Sequence, residues 1–337
     1  ESIDTLFYAI KANPYPPILQ TLEKEGVGLE CVSIQELDRV LELFPNMDKK
    51  RILFTPNFAP KTEYEYALKV GCHITIDSLY PLEHWAHLFK NREIIVRIDP
   101  GTGAGHHKHV STAGNESKFG ITQNDIEQVV ALTKKNKIHV VGLHAHSGSG
   151  ILTPELWQQT ASMLASLTEL FPEVKSINLG GGLGIVEKPG QQPLDFSNLD
   201  ALLMAVKSRY PHLEIWLEPG RFFVAESGVI LAKVTQCKEK GKVKFVGIET
   251  GMNSLIRPSL YGAYHEIVNL SRLHEEKAGF AHIVGPICES GDTLGYDRLL
   301  PVTQEGDVLL IANTGAYGRC MSSHYNLRPP AQEIVLD

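Results

Sequence analysis

The sequence predicts an α/β protein: a (β/α)8 barrel followed by a second, mostly antiparallel β domain. Three observations carry this. Over the first two-thirds of the chain, eight short apolar runs alternate with longer helical patterns, as in a parallel sheet covered by helices. After Arg221 helical periodicity nearly vanishes, and β-rich runs separated by turns take its place. Polar and glycine-rich clusters fall just after the apolar runs, where a barrel gathers its functional residues on one rim.

The eight runs are Leu6–Ile10, Val27–Val32, Arg51–Phe54, His73–Ile76, Ile94–Ile98, Val140–His144, Ser176–Leu179 and Glu214–Leu217. Helical patterns lie between them, among them Pro16–Glu25, Ile34–Leu43, Ile126–Lys134, Pro154–Leu170 and Leu199–Tyr210. Eight strands suffice to close a barrel, although an open doubly wound sheet shows the same alternation. The later runs are Phe222–Val234, Lys242–Ile248, Phe280–Pro286 and Asp307–Ala312, so the predicted domains are 1–221 and 222–337.

A chain of 337 residues with 43% hydrophobic and 21% charged residues has the composition of a globular protein and room for two domains. The net charge of −7 gives no basic footprint, so no nucleic-acid partner is expected. Cys31, Cys72, Cys237, Cys288 and Cys320 are scattered without a C-x-x-C pair, which suggests reduced thiols and a cytoplasmic protein. No uncharged run approaches transmembrane length and no signal peptide is visible, so no membrane partner is expected. The chain opens at Glu1 without methionine and soon enters an apolar run, which reads as a fragment or a domain excised from a longer polypeptide.

Several clusters invite chemistry, and each has a plainer alternative. Lys11 follows the first run; desolvation there disfavours the ammonium and makes the amine a better nucleophile, whereas a lysine tip that snorkels to water is the commoner case. Gly180-Gly-Gly182-Leu-Gly184 lets backbone N–H groups approach a phosphate, or simply makes a tight turn; its spacing is neither a dinucleotide fingerprint nor a P-loop. His144 and His146 would share a strand face, but zinc wants further ligands; His106, His107 and His109 lie in a glycine-rich loop, and no metal site is expected. Glu218-Pro-Gly220-Arg221 offers a carboxylate for a pyridine nitrogen and a guanidinium for phosphate or carboxylate, or else a turn with an incidental salt bridge. Cys288 in a polar turn can act as an acid, although an isolated cysteine is more often inert. Tyr317 offers a hydroxyl to phosphate, or is an ordinary turn tyrosine.

Taken in order, Tyr8–Asn13, Ser117–Gly120, His146–Ser149, Gly180–Gly182, Glu218–Arg221, Cys288–Asp292 and Gly315–Gly318 resemble the alanine-racemase-fold pyridoxal-phosphate decarboxylases, the ornithine, arginine and diaminopimelate decarboxylases. The resemblance covers essentially the whole chain. Ile256–Tyr261 and the Cys-Glu-Ser-Gly-Asp form of the cysteine motif are most similar to the diaminopimelate branch.

The resemblance implies a pyridoxal-phosphate barrel, a β domain and a head-to-tail homodimer with shared active sites. It implies decarboxylation of meso-2,6-diaminopimelate at its D-centre to L-lysine and carbon dioxide. Lys11 would form the Schiff base, His146 would stack on the ring, and Ser149, Gly180, Gly181, Gly182 and Tyr317 would hold the phosphate. Glu218 would pair with the pyridinium nitrogen, with Gly220 in the same cofactor-binding turn. Arg221 would contact phosphate, substrate carboxylate or both, Tyr317 would also line the substrate, and Arg257 and Tyr261 would read the distal carboxylate. Cys288 would donate the proton and Glu289 would meet the distal amine, both from the partner subunit. Lys118 and Asp292 would pair across the interface, and Asp77 and Arg97 would line the site.

Two departures stand out: the family segment preceding the lysine strand is missing, and Thr55–Lys61 lacks the usual glycine. The competing expectations are an ornithine, arginine or carboxynorspermidine decarboxylase, an amino-acid racemase, a non-catalytic regulatory homologue, and a metal hydrolase using His144 and His146.

Overall fold

A computed structural model describes residues 1–101, 104–105 and 117–336. His106, His107 and His109 lie outside the described residues. The chain divides into two compact units, 1–185 with 193–220, and 186–192 with 221–336 and the chain end.

The first unit is a closed barrel of eight parallel strands: β1 Thr5–Ala9, β2 Gly28–Cys31, β3 Ile52–Phe54, β4 His73–Ile76, β5 Glu93–Arg97, β6 His139–His144, β7 Ser176–Asn178 and β8 Glu214–Leu217. Pairing of Thr5 with Trp216 and Leu6 with Leu217 closes the ring, which excludes the open doubly wound sheet. Its helices are α1 Pro16–Lys24, α2 Ile34–Leu43, α3 Lys61–Val70, α4 Leu79–His84, α5 Ala86–Phe89, α6 Ile126–Asn136, α7 Pro154–Leu167 and α8 Phe196–Arg209.

Local chemistry sets the boundaries. Ser33 Oγ accepts the Glu36 amide at the start of α2, while Glu36 Oε2 accepts the Val32 amide, a reciprocal cap. Proline at the first position opens α1 and α7. Gly71, at φ 80°, ends α3 in the left-handed conformation that glycine adopts without steric cost.

Phe7, Leu53, Ile95 and Trp216 fill part of the barrel interior, with the Phe7 and Trp216 rings 5.4 Å apart. Gly28 admits Phe7, since a Cβ there would sit 2.6 Å from its ring. Full burial of each such side chain contributes about 1.5–3 kcal/mol, and this rigid packing fixes the strand ends above it.

The second unit carries one six-stranded sheet, ordered β11-β14-β9-β10-β12-β13, from β9 Ile230–Lys240, β10 Val243–Ile248, β11 Ile267–Asn269, β12 Gly279–Val284, β13 Thr293–Leu300 and β14 Val308–Ile311. Only the β10–β12 pair is parallel. On β9, Ala232 and Val234 point into the core while Leu231 and Lys233 face out. Two short helices, α9 Arg221–Val224 and α10 Arg257–Tyr261, also belong to this unit.

The expected β run Phe222–Val234 therefore needs correction at its start. Ala225 N–H donates to Arg221 O and closes a helical turn, and the strand begins only at Ile230. Among the described residues, no helix is long and apolar enough to cross a membrane.

Candidate active site

The carboxyl ends of the barrel strands gather the polar residues of the first unit. Lys11 lies in the 3-10 turn Ile10–Ala12 directly after β1. Its Nζ lies 2.6 Å from Glu30 Oε2 on β2. The lysine side chain is 40% exposed but Glu30 only 1%, so a carboxylate inside the barrel anchors an amine at its mouth. Burial pushes Glu30 up to about 7 against the opposing pull of Lys11. Lys11 is thus less enclosed than its apolar run suggests, and its electrostatic surroundings are set by Glu30.

Glu218 follows β8 and is 5% exposed. Its Oε1 accepts a 2.7 Å hydrogen bond from Asn178 Nδ2 and lies 3.4 Å from His144 Nε2. The histidine contact is electrostatic: neither His144 ring nitrogen has a hydrogen-bond partner among the described residues. Burial alone would raise Glu218, but the facing His144 and then Lys11 reverse this and hold it below the usual carboxylate range. His144 is therefore a close neighbour of Glu218.

His146 is pushed down to about 3, first by burial and then by Arg97, His144 and Lys11, so its ring is neutral at ordinary pH. Gly180, at φ 69°, packs on it: a Cβ there would lie 2.8 Å from His146 Nδ1. A Cβ on Gly181 would lie 2.5 Å from the Glu218 carbonyl oxygen. The glycine turn thus leaves room only for bare backbone beside His146 and Glu218. Gly220 is likewise constrained, with Ala9 and Ala12 3.1 Å from any added Cβ. Ser149 lies in a two-residue bridge pairing Gly148–Ser149 with Ala104–Gly105.

Asp77 and Arg97 are both buried and pair at 3.1 Å. Asp77 also accepts from Asn57 and from the Gly120 amide, so the Thr55–Lys61 segment and the Ser117–Gly120 motif meet on one carboxylate. Burial raises Asp77, against the pull of Arg97. Phe58 takes φ 51°, a left-handed conformation that is strained for a bulky side chain.

The second unit holds two further clusters. In one, Arg221 Nη1 donates to Glu187 Oε1 at 2.6 Å, and Arg257 Nη2 lies 3.5 Å from the same oxygen. Arg257 Nη1 faces His265 Nε2 at 3.0 Å, and His265 Nδ1 lies 2.8 Å from the Ala312 carbonyl. A carbonyl only accepts, so Nδ1 carries the proton and Nε2 accepts from Arg257. Burial pushes His265 down to about 4, in keeping with that neutral ring. Tyr261, partly buried, ends α10, and Tyr317 sits at φ 55°.

In the other cluster, Cys288 and Glu289 are exposed. The Cys288 amide donates to Asn326 Oδ1 at 2.7 Å, and Tyr325 donates to Glu289 Oε1 at 2.6 Å. Asp292 is 3% exposed and accepts the amides of Met252 and Ile287 at 2.6 and 2.7 Å. That geometry gives Asp292 a role in shaping the cysteine turn of its own chain.

Sequence reasoning missed Glu30, Asn178 and Glu187. Glu30 was signalled faintly, as a single polar residue inside an otherwise apolar strand, and Asn178 as a polar residue within the run Ser176–Leu179. The rim suits pyridoxal phosphate: an amine, a neutral aromatic ring, an anionic buried carboxylate and a backbone cradle that tolerates no side chain stand together in one unit.

Residues 3–225 match the family described as pyridoxal-dependent decarboxylase, pyridoxal binding domain. The chain is 37% identical to a diaminopimelate decarboxylase of Methanothermobacter thermautotrophicus, over 98% of this chain and 79% of that protein. It is 31% identical to the Escherichia coli diaminopimelate decarboxylase, over 100% of this chain and 84% of that one. Among solved structures, diaminopimelate decarboxylase from Helicobacter pylori complexed with L-lysine superposes with a TM-score of 0.89 at 31% identity, covering 97% of this chain and 84% of that one.

Proposed function

The chain belongs to the pyridoxal-dependent decarboxylases, and from that premise we propose that it decarboxylates meso-2,6-diaminopimelate at its D-centre, giving L-lysine and carbon dioxide. The observation that carries the reading is the rim of the barrel, where Lys11, neutral His146 and anionic Glu218 stand beside a bare glycine turn.

Pyridoxal phosphate, when bound, supplies the electron sink for the pair left as carbon dioxide departs. Lys11 would provide the amine that holds the cofactor until the substrate amine takes its place. Glu30 is positioned to receive the displaced ammonium. Glu218, held anionic, keeps a proton at the pyridine nitrogen, and Asn178 fixes its orientation. His146 would cover the ring face, while the Gly180–Gly182 amides, Ser149, Gly220 and Tyr317 would bind the phosphate side. Arg221 and Arg257 hold the carboxylate of the distal, L-configured end, with Tyr261 beside them, and so orient the reacting end. Cys288 delivers a proton to the carbon that has lost its carboxylate, and Glu289 binds the distal amine.

The same reading makes the active unit a cytoplasmic homodimer in which Cys288 and Glu289 serve the partner subunit's site. Their exposure within a single chain supports it. Mixing Lys11→Ala with Cys288→Ala protein should restore about a quarter of the activity through randomly exchanged two-fold dimers; no recovery on proven exchange would refute the sharing.

The decisive experiment mixes purified protein, pyridoxal phosphate and meso-diaminopimelate and follows lysine and carbon dioxide. Both should appear in equal amounts. Ornithine and arginine, which lack the distal carboxylate, should turn over at least about 100-fold less efficiently. Comparable turnover of ornithine would sink the substrate assignment.

A further inference from the structure

We propose that Glu187 is a built-in stand-in for the distal carboxylate of the substrate: it pairs with Arg221 and Arg257, and the ligand's carboxylate displaces it. The proposal rests on the reading that these two arginines hold that distal carboxylate.

One oxygen, Glu187 Oε1, serves both guanidiniums, at 2.6 Å from Arg221 Nη1 and 3.5 Å from Arg257 Nη2. The three side chains are 7–11% exposed. Two desolvated guanidiniums this close need a counter-charge, and one carboxylate between them is what a bound α-amino acid would also supply. The mutual repulsion is visible in Arg257, which burial and then Arg221 hold below the ordinary arginine range.

The link is weaker than a ligand's would be. Only the Arg221 contact is a short hydrogen bond, whereas a free carboxylate can pair two-pronged with a guanidinium. The backbone of Glu187 is pinned locally, since Gln191 Oε1 accepts the amides of Glu187 and Lys188 at 2.8 and 2.9 Å. Displacement therefore requires only rotation of the glutamate side chain. The product keeps the same distal carboxylate as the substrate. A carboxylate poised to return to the arginines consequently opposes retention of L-lysine and favours its release.

The test is binding of L-lysine, and of cadaverine, which lacks a carboxylate, to the pyridoxal-phosphate-loaded protein and to its Glu187→Gln and Glu187→Ala forms. Calorimetry gives the affinities, with thermal melting as a folding check. L-lysine should bind about tenfold tighter to both variants, the scale of one lost charge-assisted competitor. Cadaverine affinity should stay within about twofold, since it gains nothing from freed arginines. Unchanged or weaker lysine binding, equal tightening of cadaverine, or loss of folding in both variants would each overturn the proposal. Carbon dioxide release from meso-diaminopimelate by the unaltered protein reports separately on the decarboxylase reading. A flat lysine comparison in an active enzyme overturns only the Glu187 assignment, and a protein that neither turns over nor binds lysine overturns both.

Discussion

Lys11 Nζ and Glu30 Oε2 stand 2.6 Å apart, a rim amine held by a carboxylate that is almost wholly enclosed by the barrel. The pair fits the role proposed for Lys11, an amine held in place at the barrel mouth. Replacing Lys11 with alanine should abolish the visible absorbance band of lysine-bound pyridoxal phosphate, and with it turnover. A spectrum and rate matching the unaltered protein would remove Lys11 from its proposed role.

Glu30 also has a thermodynamic signature. Burial raises it from 4.5 to about 7, so the folded state holds a proton that the unfolded chain has already lost. A raised carboxyl favours the fold below its unfolded value, and that contribution disappears as pH rises through about 7. Glu30→Gln cannot titrate, so its stability relative to the unaltered protein should grow between pH 5 and pH 8 by on the order of 1–3 kcal/mol. Urea midpoints at the two pH values measure this; parallel pH profiles would contradict the burial argument.

The glycine turn makes a steric prediction. A Cβ on Gly181 would meet the Glu218 carbonyl oxygen at 2.5 Å, so the turn must shift. Overpacking of this kind costs about 1–3 kcal/mol, and Gly181→Ala should lose pyridoxal phosphate on dialysis with affinity reduced about tenfold or more. Cofactor retention equal to that of the unaltered protein would rule out the turn as the phosphate cradle.

Arg257 separates substrate binding from cofactor binding. Arg257→Ala should raise KM for meso-diaminopimelate by about 10- to 100-fold, the loss of a charge-assisted hydrogen bond to carboxylate. Affinity for pyridoxal phosphate should stay close to that of the unaltered protein. Equal weakening of both would mean that Arg257 supports the fold of the second unit and not the substrate.

The barrel was legible because each strand is an apolar run bounded by turn residues, and the observed ends differ from the runs by no more than two residues for strands such as β1 and β5. Strand β13 was hidden because Tyr296, Asp297 and Leu299 are exposed, so its pattern does not alternate. Helix α9 reads as a strand because Phe222, Phe223 and Val224 are bulky and apolar; contacts distant in sequence, such as Gly315 N–H to Ala225 O, help hold the chain there. In the site, Lys11, His146 and Glu218 stood out at strand ends. Asn178 and Glu30 did not, because one or two polar residues within so short a strand have no period to betray them. Glu187 was unreadable because its partner Arg221 lies 34 residues further on, a separation that only the folded chain closes.

The grouping of residues 186–192 with the second unit means that the polypeptide passes between the units three times, not once. A chimera joined at residue 221 would graft a new β unit onto a barrel still carrying the old Glu187, and set that carboxylate against whatever side chain the new unit carries at position 257. Exchange of substrate preference among such proteins thus has to transplant two stretches of sequence together, and the small one lies inside what would pass for barrel DNA.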